Sequence, residues 1–118
     1  MRLYVAGPMT GFPEWNFPAF DAAAEALRAA GYDVVSPAAI DRALGFDPTA
    51  PVDDFTLADY TEALRRDVAF VFEVDGVATL PGWGRSRGAR AEVALAEALG
   101  KPTGAFVQFV DEAERWLA

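Results

Sequence analysis

The 118-residue chain has neither cysteine nor histidine. That excludes disulfides, thiol nucleophiles, imidazole bases and the usual zinc ligands together, and leaves acid–base chemistry to carboxylates, Tyr, Lys and Arg. Positive charge is scarce: 10 Lys and Arg stand against 18 Asp and Glu, for a net charge of −8. Duplex nucleic acid needs a basic face to neutralise its phosphates, so it is not an expected partner. Long hydrophobic runs are missing as well. The Ala-rich stretches sit between charged residues, and none approaches the roughly 18 apolar residues of a membrane span. The opening "MRLYVAGP" carries no signal-peptide pattern, so the expectation is a cytoplasmic protein without a membrane partner. The scattered Asp residues show no ligand spacing, and neither a metal nor a cofactor is expected.

What is present suffices for one core. The chain is 53% hydrophobic with three Trp and nine Phe, which predicts a single domain over residues 1–118. "RLYVAG" (2–7) and "YDVVSP" (32–37) read as short buried strands. Between them "NFPAFDAAAEALRAAG" offers Asn16 as N-cap, Pro18 in the first turn, an apolar face of Phe20, Ala23, Leu27 and Ala30, and Gly31 as terminator. Residues 41–56 are rich in Asp, Pro and Gly and predict a long loop, a candidate lid. Thr56 and Asp59 then form a capping-box pattern before a helix expected to run to about Ala69, with Leu57, Tyr60, Leu64, Val68 and Val71 on one face. "DGVATLPG" (75–82) supplies a third strand, residues 86–99 a helix, "KPTGAFVQF" (101–109) a fourth strand, and "DEAERWL" a short closing helix. Strict alternation of strand and helix predicts an α/β three-layer sandwich around a four-stranded parallel sheet in flavodoxin-like order 2-1-3-4.

In such folds ligands bind beyond the carboxyl ends of the strands, where the strand order reverses. The loops expected there are "AGPMTGFPEWN" and "LPGWGRSRG". Their glycines, Gly7 among them, let backbone N–H groups approach a ligand closely. Trp15 and Trp83 are candidates to stack on it or to pack an interface or lid. The second loop feeds a helix N-terminus, which favours an anion. Arg85, Arg87 and Arg90 fall within six positions there, either as an anion-binding cluster or as ordinary solvated arginines. Ser86 is the natural N-cap of that helix and a second candidate anion ligand, the cap being the stronger reading.

Two carboxylates point the wrong way for a soluble protein. At about 100° per residue Glu92 shares a face with Gly88, Leu95, Ala96 and Leu99, while Arg90 and Glu97 take the polar side. Asp67 shares a face with Tyr60, Leu64 and Val71, while Glu62 and Arg66 point away. A buried unpaired charge costs several kcal/mol. Two inward carboxylates without histidine suit glycosidic-bond chemistry, one as nucleophile and the other as acid or orienting group. The structural alternative pairs Asp67 with a neighbouring Arg and lets the long stem of Glu92 reach solvent.

From Tyr4 to Pro102 the chain resembles the nucleoside 2-deoxyribosyltransferase-like superfamily, in particular its small phage and bacterial branch of unknown function. The matching stretches are "YVAGPMTG", "NFPAFDAAAEALRAAGYDVVSP", "LRRD" (64–67) and "LPGWGRSRGARAEVALAEALGKP". In the related deoxynucleotide N-glycosidases a Ser-x-Gly-x-x-x-Glu spacing ends in the catalytic glutamate, and Ser86, Gly88 and Glu92 reproduce it. The resemblance implies an N-glycosidic bond hydrolase or transferase acting on nucleotides or nucleosides. It makes Glu92 the nucleophile that forms a glycosyl-enzyme ester, Asp67 the residue that assists the leaving base, and Tyr4 the residue that positions Glu92. Asp75 is commonly acidic in the group, though a strand-edge residue would look the same. The glycosidases carry Ser where this chain has Pro8, so one phosphate contact is missing and Arg85 and Arg87 are its candidate replacements. The resemblance further implies a homo-oligomer whose neighbouring subunits complete the pocket. The rival readings are a non-catalytic nucleotide-binding module of the same fold and an accessory protein that serves only assembly.

Overall fold

The computed structural model describes residues 1–50 and 55–117, the last two by backbone alone. The elements run β1 (Arg2–Ala6), α1 (Phe17–Ala29), β2 (Asp33–Val35), α2 (Pro37–Ala43), α3 (Leu57–Glu73), β3 (Gly76–Thr79), α4 (Arg87–Ala98), β4 (Thr103–Ala105) and α5 (Phe106–Leu117). The four strands form one parallel sheet in the order β2-β1-β3-β4. This is the expected α/β architecture.

Burial explains why β1 is apolar throughout. Leu3, Tyr4, Val5 and Ala6 are all fully buried, because helices cover both faces of the strand. Alternate side chains divide between two cores. Leu3 and Val5 pack with Phe17, Phe20, Ala23 and Leu27 of α1 and with Phe109 of α5. Tyr4 and Ala6 pack on the opposite face with Val71 and Val74 of the α3 end and Ala89, Val93 and Ala96 of α4. Gly7 continues β1 where a Cβ would lie 2.7 Å from the Leu80 side chain, so glycine lets the two strand ends converge. Gly31 stops α1 at a φ of +102°, as its position predicts.

Several boundaries differ from the expectation. The loop expected over 41–56 begins with helix, since α2 spans Pro37–Ala43 and buries Pro37 and Ala38. Residues 51–54 of that loop lie outside the described residues. The α3 capping box forms as predicted, with Thr56 and Asp59 each bonding the other's backbone N–H. However, α3 runs past Ala69 to Glu73. "VAFVFE" has β propensity, but Val71 and Val74 at helical spacing both reach the core. Lys101 also secures the helix end, its Nζ donating to the carbonyls of Val71 (2.9 Å) and Phe72 (2.7 Å).

The fourth strand stops at Ala105 and not at 109. Gln108 folds back to accept the Ala105 N–H at 3.1 Å, which starts α5 at Phe106 and turns Phe109 into the core. Asn16 occupies the N-cap position of α1 without capping it. It sits at the end of a left-handed run, with φ of 51°, 53° and 61° for Glu14, Trp15 and Asn16, and its Nδ2 donates to the Pro8 carbonyl at 2.9 Å. Leu57 and Leu99, expected on buried faces, are 80% and 42% exposed. Both lie at helix ends, where the core no longer reaches them.

Candidate active site

The carboxyl ends of β1 and β3 are neighbours in the sheet, and the loops following them, 7–16 and 80–86, border a crevice. Its wider part, about 760 Å³, is lined by Gly7, Pro8, Thr10, Phe12, Gly82, Arg85, Ser86 and Arg87 together with Thr56, Leu57 and Tyr60 of the α3 start. An inner cavity of about 170 Å³ shares Met9, Thr10, Phe55 and Tyr60 with it. Aromatic rings wall this inner cavity. Trp15 meets Phe46 edge-on at 5.6 Å and Phe55 at 5.0 Å between centroids, and Phe17 lies 5.9 Å from Phe46. Asp41, Arg66 and Asp67 supply its polar wall.

The carboxylate that helical spacing placed inside, Glu92, lines neither part of the crevice, and nor does Tyr4. Glu92 is 5% exposed, and the buried Tyr4 hydroxyl donates to its Oε2. The bond crosses from the centre of β1 to the middle of α4, so one strand and one helix fix both partners. Burial pushes the Glu92 carboxyl up to about 8; the Tyr4 hydrogen bond pulls it back, and the charge of Asp67 adds to the rise. Burial also raises Asp67, to about 7, with the charge of Asp41 adding and that of Arg66 opposing. Tyr4 is held well above its ordinary value by burial and by both carboxylates, so it stays a proton donor.

The structural alternative for these carboxylates does not hold. Glu92 fails to reach solvent, and the arginine beside Asp67 bonds elsewhere: Arg66 Nη2 donates to Asp41 Oδ1 at 3.0 Å. Arg66 was expected to point away from the Asp67 face, yet it lines the same cavity, because its long stem lets the guanidinium swing round toward Asp41. Asp67 Oδ1 is buried with no hydrogen-bond partner among the described residues.

The remaining candidates divide. Ser86 caps α4, its Oγ accepting from the Ala89 N–H at 3.2 Å, and still borders the wider cleft. Arg85 and Arg87 are exposed at the same cleft, and neither forms an ion pair among the described residues. Gly88 faces α3, where a Cβ would sit 3.5 Å from the Tyr60 hydroxyl. Trp15 lines the inner cavity. Trp83 lines neither part of the crevice, because it packs against the core on the Tyr4 face. Asp75 is not brought to the site. It precedes β3 at the amino end of the sheet, and its Oδ2 accepts the Arg2 N–H at 2.7 Å. Asp41, Arg66, Phe46 and Phe55 were not singled out from the sequence; three of the four lie in the segment 41–56 that reads as a long loop and candidate lid.

A solved 2-deoxyribosyltransferase from the psychrotolerant bacterium Bacillus psychrosaccharolyticus has the same fold. The match has a TM-score of 0.61 and 22% sequence identity, covering 87% of this chain and 69% of that one. No curated protein matches the sequence. A family model does, over residues 1–104, and the chain therefore belongs to the family described as a domain of unknown function, DUF4406.

Proposed function

We propose that the protein cleaves or exchanges the N-glycosidic bond of a (deoxy)nucleotide or nucleoside, with Glu92 as nucleophile. One observation carries the reading: a dry carboxylate gripped by the Tyr4 hydroxyl, beside a second carboxylate that lacks a partner. The likeness of fold to an enzyme described as a biocatalyst for nucleoside synthesis supports it.

Glu92 attacks the sugar C1′. The C1′–N bond breaks, its electron pair leaves with the base, and Asp67 gives the base a proton. Water or a second base then attacks C1′ and frees Glu92, with Asp67 taking the proton back; two displacements retain configuration. This chemistry needs one carboxylate ionised and the other protonated. With Asp67 raised to about 7 and Glu92 to about 8, the last shared proton rests mainly on Glu92, so the reactive form, Glu92 ionised and Asp67 protonated, is the minor arrangement of the singly protonated pair. Where the substrate carries a 5′-phosphate, Arg85, Arg87 and the α4 N-terminus receive it.

The test is release of free base, by chromatography, from ribo- and deoxyribonucleosides and their 5′-monophosphates, with a second nucleobase supplied as acceptor. Release by the wild type that is lost in Glu92→Ala supports the reading. Silence across the panel with ligand still bound would establish the non-catalytic binding module instead.

A further inference from the structure

Arg66 lines the aromatic-walled inner cavity and commits little of its guanidinium within the protein. One of its five N–H donors goes to Asp41, and its Nε is buried without a hydrogen-bond partner among the described residues. The adjacent Asp67 is in the same state, its Oδ1 shielded from water and unpaired. Leaving a buried polar atom unpaired costs about 1–3 kcal/mol, more when it is charged. Both residues line one aromatic-walled cavity, so the guanidinium N–H groups that Asp41 does not take are the donors a planar ligand there would meet. Asp41 and Arg66 both line the cavity, and within the pair the guanidinium is the more exposed side chain, 32% against 14%. Asp41 is committed to holding it.

Resting on the reading that this site takes a nucleoside or nucleotide, we propose that Arg66, braced by Asp41, is the residue that selects the base, and that it selects an oxo group over an amino group at one ring position, C6 of a purine or C4 of a pyrimidine. The aromatic walls of Trp15, Phe46 and Phe55 accept any base by its face and do not discriminate. Arg66 can only donate. An oxo group opposite it is paired; an amino group at the same position puts donor against donor and leaves both unsatisfied. Sites built to hydrogen-bond one substituent reject its replacement more strongly than apolar pockets reject a change of size.

The test compares ligands that differ in this group and in the ring N–H that accompanies the oxo form: inosine with adenosine, and uridine with cytidine. Binding is measured by titration calorimetry on Glu92→Gln protein, so that the result does not depend on turnover. The proposal expects the oxo member of each pair to bind roughly tenfold tighter or more. In Arg66→Met the two members should come within about threefold of each other. Because that variant strands the Asp41 carboxylate, the Asp41→Asn/Arg66→Met double variant is measured beside it, with circular dichroism confirming the fold. Equal binding of oxo and amino ligands, preference for the amino member, a preference that survives the double variant, or no binding by any of the four would overturn the proposal. Oxo-selective binding without base release from the wild type would retire the glycosidic chemistry and leave the selectivity standing.

Discussion

Glu92 and Asp67 keep their protons at pH values where exposed carboxylates have lost theirs, and this ties stability to pH. A carboxyl raised in the folded state binds its proton more tightly there than in the unfolded chain. Its contribution is therefore fully present at acid pH and is lost as pH rises through the folded value, here between roughly 4.5 and 8 for Glu92 and 4 and 7 for Asp67. Urea unfolding of wild type and of Glu92→Gln across pH 5 to 9 should show the wild type losing stability relative to the variant, on the order of a few kcal/mol. Parallel curves would mean that Glu92 titrates as an ordinary glutamate. The same pair should give the rate a bell-shaped pH profile with limbs near 7 and 8. Tyr4→Phe removes the bond that holds the Glu92 value down, so its limb should move up while the maximum rate falls roughly tenfold or more. The inward aim of Glu92 and Asp67 was legible in the sequence because helical periodicity sets direction. The Arg66–Asp41 pair was not, since a long side chain escapes its periodic position and Asp41 sits in a helix too short and Pro-led to announce itself.

The helices differ in how openly they declare their ends. The Thr56–Asp59 capping box and the Ser86 cap were readable because each is a local hydrogen bond between residues three apart. The C-terminal end of α3 was not, because Lys101, some 30 residues further on, holds it. Replacing Lys101 by Met should cost about 1 kcal/mol, read as a lower urea midpoint at unchanged slope. Gly88, in the first turn of α4, gives a sharper test. No positive φ requires glycine there, and a Cβ would meet the Tyr60 hydroxyl at an ordinary 3.5 Å. Gly88→Ala should therefore stabilise the fold by about 0.5–1 kcal/mol. If base release falls while stability rises, the glycine serves ligand access and not the backbone; if neither changes, Gly88 leaves the list of site residues.

At the scale of the molecule the sheet order gathers the loops that border the crevice at the carboxyl ends of β1 and β3. Two parallel strands that diverge to helices on opposite faces leave a crevice that alternation of strand and helix alone predicts. What alternation did not predict is how open the outer part is. Leu57 and Phe12, 80% and 44% exposed, lie along the wider cleft. Apolar side chains at the mouth of a site are stable partners for another surface, and we propose that a second copy of the chain covers them. Sedimentation velocity should then show an oligomer that Leu57→Glu converts toward monomer, while a monomeric wild type would end the idea. Ligand and assembly separate cleanly. A nucleotide at 100 times its dissociation constant adds about 2.7 kcal/mol to the folded state, a rise of roughly 10 °C in melting temperature for a chain of this size. That rise does not change with protein concentration when the site lies within one copy. It grows with protein concentration if the second copy supplies part of the wall. Melting curves at two protein concentrations, with and without nucleotide, thus tell whether the crevice is complete in one chain.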